Sequence, residues 1–154
     1  MRDIEFRGKH TDSGLWVYGY VAEISTYGVT GHRIAVGIYE KPKKEFDGDW
    51  WEVDPSTVGQ YTGLKDKNGT KIFEGDIVKC VDANNGGSFT AIVSFGNPNY
   101  EYNWGFQLVQ IGGDDLNTDI LLWVDMEEAG AYIEVISNIY DNPELLGGKE
   151  DDLE

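Results

Sequence analysis

The chain has 154 residues, with 28 Asp plus Glu against 12 Lys plus Arg, a formal charge of −16, 40% hydrophobic residues and 13% aromatic ones. A chain of this length buries about 68 to 70% of its unfolded surface, so it needs no metal or disulfide staple. Its one cysteine, Cys80, excludes an internal disulfide, and its longest aliphatic and aromatic run, Ile120 to Val124, is far short of the ~20 residues of a membrane helix. Residues 1–5, MRDIE, lack the apolar stretch of a signal peptide, so a cytoplasmic location, with no membrane contact, is the expectation.

Period-two patterning dominates, and sustained helical periodicity is almost absent. In chain order, the expected strands are Ile4 to Arg7, Leu15 to Val21, Arg33 to Tyr39, Trp50 to Val53, Asp76 to Val81, Phe89 to Phe95, Tyr102 to Val109, Ile120 to Val124 and Tyr132 to Tyr140. In the second of these, Trp16, Tyr18 and Tyr20 share one face and Leu15, Val17 and Val21 the other, which predicts a strand covered on both sides. At least one indole of Trp50-Trp51 must face outward from an alternating strand. Asp12-Ser13-Gly14, Asn68-Gly69 and Asn84-Asn85-Gly86-Gly87 are turn signals, and Asn-Gly suits a tight hairpin with positive φ at both central residues. Only Asp125 to Ala131 reads as a short helix. These elements predict a mainly β fold with little helix, arranged as a small barrel with an added N-terminal β-sheet region.

The predicted organisation is one compact β-rich domain over residues 1–146 and a flexible acidic tail, Gly147 to Glu154, too polar to repay its ordering entropy. The proline- and charge-dense stretch 41–49 is the best internal boundary, either a linker or a long hairpin loop. Charge is uneven across the chain. Residues 83–154 hold 14 acids and a single base, Lys149.

Residues 53–78, VDPSTVGQYTGLKDKNGTKIFEGDIV, read as architecture. Pro55 presets φ for a turn, Gly59 and Gly63 permit positive φ, Asn68-Gly69 reverses the chain, and Gly75-Asp76 leads into a strand. The block holds neither GxxxxGK[ST] nor GxGxxG opening a helix, which leaves phosphate cradling as the weaker reading. This block closely resembles the signature of the YopX family of phage and prophage proteins. IEFRG at 4–8 with WVYG at 16–19 is similar to the family's opening, and VISNIYDNPELL at 135–146 to its closing segment. The motif positions are Pro55, Gly59, Gln60, Tyr61, Gly63, Asn68, Gly69, Gly75, Asp76, Asn138 and Pro143. Departures at Ser56, Phe73, Ser137 and Asp141 are modest. The resemblance implies a β-rich fold with an SH3-like barrel, a bacteriophage or prophage origin, and no catalytic residue to carry over.

The usual catalytic constellations are weak. Cys80 lies in an apolar strand, where a small buried hydrophobe is the ordinary reading and a reactive thiolate would want a nearby cation. His10 and His32 sit beside turn residues without paired cysteines or HExxH spacing, so no zinc site is expected. Asp115, Asn117 and Asp119 match the first ligand positions of a calcium loop, but Ile120 stands at its glycine and Met126 at its final glutamate, leaving a solvated acidic turn as the main reading and weak divalent binding as the other. Tyr100, Tyr102, Trp104, Phe106 and Leu108 share one face of an extended segment. Core packing is the first reading of that stripe, with a subunit interface second and a sugar platform third. Base stacking is disfavoured because phosphate binding needs Lys and Arg, which this half lacks.

No catalytic, cofactor-binding or metal residue is therefore assigned. The interaction surface expected is Tyr100, Tyr102, Trp104 and Phe106 with the acids Asp114, Asp115, Asp119, Asp125, Glu127 and Glu128. The function expected is a non-enzymatic module that binds a host or phage protein, or itself as a homo-oligomer, and not nucleic acid directly. Three alternatives stay open: an acidic nucleic-acid mimic occupying a basic host protein, a metal-dependent hydrolase or nuclease, and a structural or assembly component of the phage particle.

Overall fold

The computed structural model describes residues 4–28, 31–40, 50–84, 86–96, 105–112, 117–125 and 130–146. The chain is mainly β, with eleven strands among these residues, one six-residue α-helix and two 3-10 turns. It divides into two compact units, Met1–Gly63 and Leu64–Glu154. The stretch 41–49 and the tail 147–154 lie outside the described residues.

The first unit contains β1 (Phe6–Lys9), β2 (Trp16–Gly28), β3 (Gly31–Glu40), β4 (Trp50–Glu52) and the start of β5 (Gly59–Lys65). They form antiparallel neighbours in the order β4-β3-β2-β1-β5. One face of this sheet carries a small core of Val17, Ile38 and Val53, against which Val36, Trp51 and Val58 pack. Gly8 is needed beneath it, since a Cβ there would lie 3.0 Å from Val53 and 3.2 Å from Ile38. Between β4 and β5, Pro55–Thr57 forms a 3-10 turn capped by Asp54, whose carboxylate accepts from the Ser56 N–H at 3.0 Å and from its hydroxyl at 2.8 Å.

Beyond Gly63, β5 continues into the second unit and is followed in its sheet by β6 (Lys71–Phe73). The second unit's own sheet has the order β10-β9-β8-β7-β11, built from β7 (Asp76–Asp82), β8 (Gly87–Gly96), β9 (Gly105–Gln110), β10 (Asn117–Asp119) and β11 (Ala131–Asn138). Every pairing in it is antiparallel. Ile72, Val78, Cys80, Ala91, Val93, Phe106, Leu108, Ile120 and Ile133 form its core. Neither sheet closes on itself among the described residues.

Four expectations need correction. The apolar run from Ile120 is helix α1 (Ile120–Asp125), not a strand. Short apolar runs fit either state, and here Asp119 accepts from the Leu121 N–H at 2.9 Å while Ile120, Trp123 and Val124 bear on the core with helical spacing. The helix expected over 125–131 is absent at Gly130 and Ala131, where a turn enters β11; residues 126–129 lie outside the described set. Gly59 lies within β5 opposite Arg7 and is not among the positive-φ glycines, whereas Gly63 has φ +85°. At the Asn-Gly pair, the Gly69 N–H bonds to the Asp66 carbonyl at 3.0 Å and the Asp66 N–H to Thr70 at 2.8 Å. Lys67 and Asn68 are thus the central residues of the turn, with Gly69 after them at φ +81°.

Candidate functional site

In the second unit, polar residues of the central block and of the closing segment hold backbone. Asp66 is buried, and its Oδ1 accepts from the N–H groups of Asn68 and Thr70 at 2.8 and 2.9 Å. Its Oδ2 accepts from the Val135 N–H at 2.9 Å, while the Lys67 N–H donates to the Ile133 carbonyl at 3.1 Å. The hairpin turn therefore caps the outer edge of β11, a position where an open edge would invite pairing with another chain. Asp76, 1% exposed, accepts from the Phe73 N–H at 2.7 Å and closes the β6–β7 turn. Gly75 supplies φ +91° at that turn, donates its N–H to the Val93 carbonyl and accepts at its own carbonyl from the Ile139 N–H. Asn138 accepts from the N–H groups of Tyr140 and Asp141 at 3.0 and 2.9 Å, ordering the segment before the 3-10 turn that opens at Pro143.

A cavity of about 50 Å³ lies beside this turn, lined by Asp66, Lys67, Trp123, Ala131, Tyr132 and Ile133 among others. It is the size of one or two water molecules, not of a metabolite. Its wall is tied together by the Trp123 indole N–H donating to the Tyr132 carbonyl at 3.1 Å. Lys67 Nζ stands 4.4 Å from the Tyr132 ring centroid and 3.3 Å from Glu134. Among the described residues, no group of three or more His, Cys, Asp or Glu side chains is placed to hold a metal ion. Cys80 is buried, and desolvation pushes its thiol up to about 12, which keeps it protonated and unreactive at neutral pH.

The surface expected from the sequence is mostly out of view. Tyr100, Tyr102, Trp104, Asp114, Asp115, Glu127 and Glu128 lie outside the described residues, and Asp125 ends α1. Phe106 and Leu108 are buried in the core, with Phe95 set 5.0 Å from Phe106 between ring centroids. Asp119 caps the start of α1.

The first unit presents a surface that the alternation of β2 concealed. The register sets Trp16 opposite Lys9, Tyr18 opposite Arg7, and Tyr20 opposite Tyr39, which in turn faces Trp50. Cross-strand partners share a face, so five aromatics and two cations stand on the side of the sheet away from its small core. This face is open at its tyrosines, Tyr18, Tyr20 and Tyr39 being 44%, 48% and 38% exposed, whereas Arg7 on the same face is buried, as is Val17 on the opposite side. The expectation that β2 is covered on both sides therefore fails on the aromatic side. Trp16 is half-buried under the Arg7 guanidinium, 4.4 Å from its ring centroid, with Lys9 Nζ at 5.3 Å, so these cations stack on the indole. The Trp50 indole lies directly on Gly37, where a Cβ would fall 2.1 Å from its ring. Trp51, on the other face, joins the small core and meets His10 edge-on with centroids 5.2 Å apart. Both tryptophans are half-buried, and they occupy opposite faces as the alternation requires.

The arrangement sets three exposed tyrosine rings with hydroxyl tips beside a half-buried tryptophan backed by the buried Arg7 guanidinium. Sequence reasoning missed this face because an aromatic side of a strand reads as core unless its neighbours are known. The register of β1 and β3 is the signal that exposes it.

Comparison with known proteins agrees with this architecture. No curated protein matches the chain. Among solved structures, the crystal structure of protein EF1440 from Enterococcus faecalis is similar, at 22% sequence identity, with 95% of this chain and 99% of that chain covered and a TM-score of 0.50, a likeness of fold. A family model described as YopX protein matches residues 5–147. That match spans both units and every motif position from Pro55 to Pro143, and the chain accordingly belongs to the YopX family.

Proposed function

We propose that this protein is a non-enzymatic, phage- or prophage-encoded module that binds another protein in the cytoplasm of the bacterial host. The observation that carries this reading is the exposed tyrosine row of the first unit, Tyr18, Tyr20 and Tyr39, set beside Trp16 and Arg7. Tyr and Trp are residue types that concentrate in protein interfaces, because each brings contact area together with a polar tip, while the buried Arg7 backs the Trp16 indole. The family's signature residues support the same division of labour: those in the second unit are occupied with turns and strand edges, which leaves them no evident part in chemistry. For the second unit we also propose the SH3-like barrel that the family resemblance implies. Its four-strand meander β7-β8-β9-β10, the return of β11 beside β7, and the short helix before β11 support it.

The test is a tagged pull-down from nuclease-treated host lysate, washed at low and then moderate salt and read by mass spectrometry. Enrichment of a defined protein that resists the moderate-salt wash is expected, since aromatic contacts are not screened. Recovery of the bait alone, from both plain and infected cells, would overturn the reading.

A second reading is favoured by a separate observation, the 14 acids against one base over residues 83–154. In it, that half imitates nucleic-acid phosphate and occupies a basic host protein through long-range attraction. A basic protein released as salt rises would select it over the first. A rise in melting temperature with magnesium, manganese or calcium would instead point to the metal-dependent hydrolase, because only selective binding to the native state stabilises it. Large oligomers that persist on dilution would point to a particle component.

A further inference from the structure

The β2–β3 hairpin is much longer than the strands beside it. β1 pairs with Trp16–Gly19 of β2, and β4 with Gly37–Tyr39 of β3. The ladder between β2 and β3 nevertheless runs on to Gly28 and Gly31. Among the described residues, Val21–Gly28 are therefore hydrogen-bonded on one side only, to β3. The hairpin continues past the sheet as a two-stranded arm whose outer β2 edge is open over eight residues, a length of about 27 Å at ~3.4 Å per residue. Two-stranded ribbons are marginal in water, and open edges are normally blunted by lysine, proline or a bulge. The β2 edge, VAEISTYG, has none of these: no lysine, no proline, an unbroken register, and Glu23 as its one charge.

We propose that this edge pairs with the same edge of a second copy of the chain, giving a two-fold symmetric dimer with one sheet continuous across both molecules. The inference rests on the reading of the protein as a protein-binding module and names one of its partners.

Three observations favour a second copy as the occupant. The chain carries −16 overall, so most of its surface repels a copy, yet residues 21–36 contain one acid and one arginine and approach a copy with little repulsion. Antiparallel self-pairing of β2 sets Glu23 opposite its counterpart only if the two-fold passes through residue 23. An axis through Ser25, for instance, sets it opposite Tyr27. The other arm edge is the poorer candidate, because it is shorter and Arg33 near its centre would face Arg33 across a central axis. At the base of the arm, Val21 and Tyr20 are exposed, which continues the open surface of the first unit.

The experiment is sedimentation equilibrium on the purified full chain at micromolar concentration, in parallel with Ile24→Lys/Thr26→Lys. These two positions lie on one face of β2, so the pair would bring four ammonium groups together across the joint. The wild type is expected at twice 17.2 kDa. The lysine variant is expected at the single mass, with at least a tenfold weaker dimer and an unchanged circular dichroism spectrum. As a check that does not depend on weakening the strand, Ser25→Cys should form an interchain disulfide with oxidised glutathione, while Asp12→Cys in an exposed turn should not. A monomeric wild type, a dimer indifferent to the lysine pair, or equal cross-linking of both cysteine variants would overturn the proposal. A monomer that still captured a host protein would sink the dimer alone and leave the protein-binding reading standing.

Discussion

The two units of this chain handle the same liability, the unpaired strand edge, in opposite ways. In the second unit, the exposed side of β11 is sealed from within by one short turn: Asp66 takes the Val135 N–H and Lys67 reaches the Ile133 carbonyl. In the first unit, β2 runs eight residues past its neighbour with nothing set against it among the described residues. The polar residues of the second unit satisfy its own backbone, whereas the first unit leaves aromatic rings and a strand edge available. The family resemblance runs through both units, since its opening blocks hold Arg7, Trp16 and Tyr18 of the aromatic face, while Asp76 and Asn138 of the second unit accept from backbone N–H groups.

The contrast is broken most severely by Asp66→Ala. Three N–H groups lose their acceptor, those of Asn68 and Thr70 in an exposed turn that water reaches and that of half-buried Val135, so a loss of about 1 to 3 kcal/mol is expected in urea denaturation. Hydrogen exchange should show the lost protection concentrated in β7 and β11, with β1 to β4 less affected. Uniform loss over both units would contradict the assignment of Asp66 to the second unit's edge.

Gly37→Val probes the first unit in the same way. The added side chain displaces the Trp50 indole, and overpacking of this kind costs about 1 to 3 kcal/mol. Trp50 fluorescence should redden as the ring is pushed toward water, while the buried residues of the second unit keep their exchange protection.

Cys80 offers a pH test. Its thiol is raised in the folded state from 9.0 to about 12, so folding favours the protonated form. The stabilisation is complete below pH 9 and is lost as pH climbs from about 9 to about 12, where the unfolded chain ionises first. A thiol reagent at pH 8 should leave the native protein unlabelled, and Cys80→Ala should flatten the alkaline fall in stability. The smallest effect belongs to Lys67→Met, which removes the half-exposed ion pair with Glu134. A change of about 0 to 1 kcal/mol is expected, and a larger one would show that Lys67 does more than rest on Tyr132.

Strand identity was legible where one face is dry. Phe89–Phe95 was legible through alternation, and Asp76–Val81 and Cys80 within it through an apolar run, which the structure extends to Asp82. β5 and β6 were hidden inside a block whose glycines and turn residues drew attention to its bends, although Tyr61 and Ile72 are buried there. The Ile120–Asp125 run could not be separated from a strand by periodicity, because five apolar residues satisfy both periods and the deciding Asp119 cap is a tertiary detail. The aromatic face of the first unit was the least legible. Aromatics at 16, 18 and 20 look like core in one dimension, yet the small core forms on the Val17 side and leaves Tyr18 and Tyr20 exposed. Asp66 was invisible as a keystone, since its third partner, Val135, lies 69 residues away.

The most direct test of the account compares the wild type with Tyr18→Ala/Tyr20→Ala/Tyr39→Ala in the host pull-down, after both proteins are shown to melt alike. The account predicts that the captured protein disappears with the three tyrosines while Lys67→Met retains it. Equal capture by the triple variant would contradict the assignment of binding to the first unit's aromatic face.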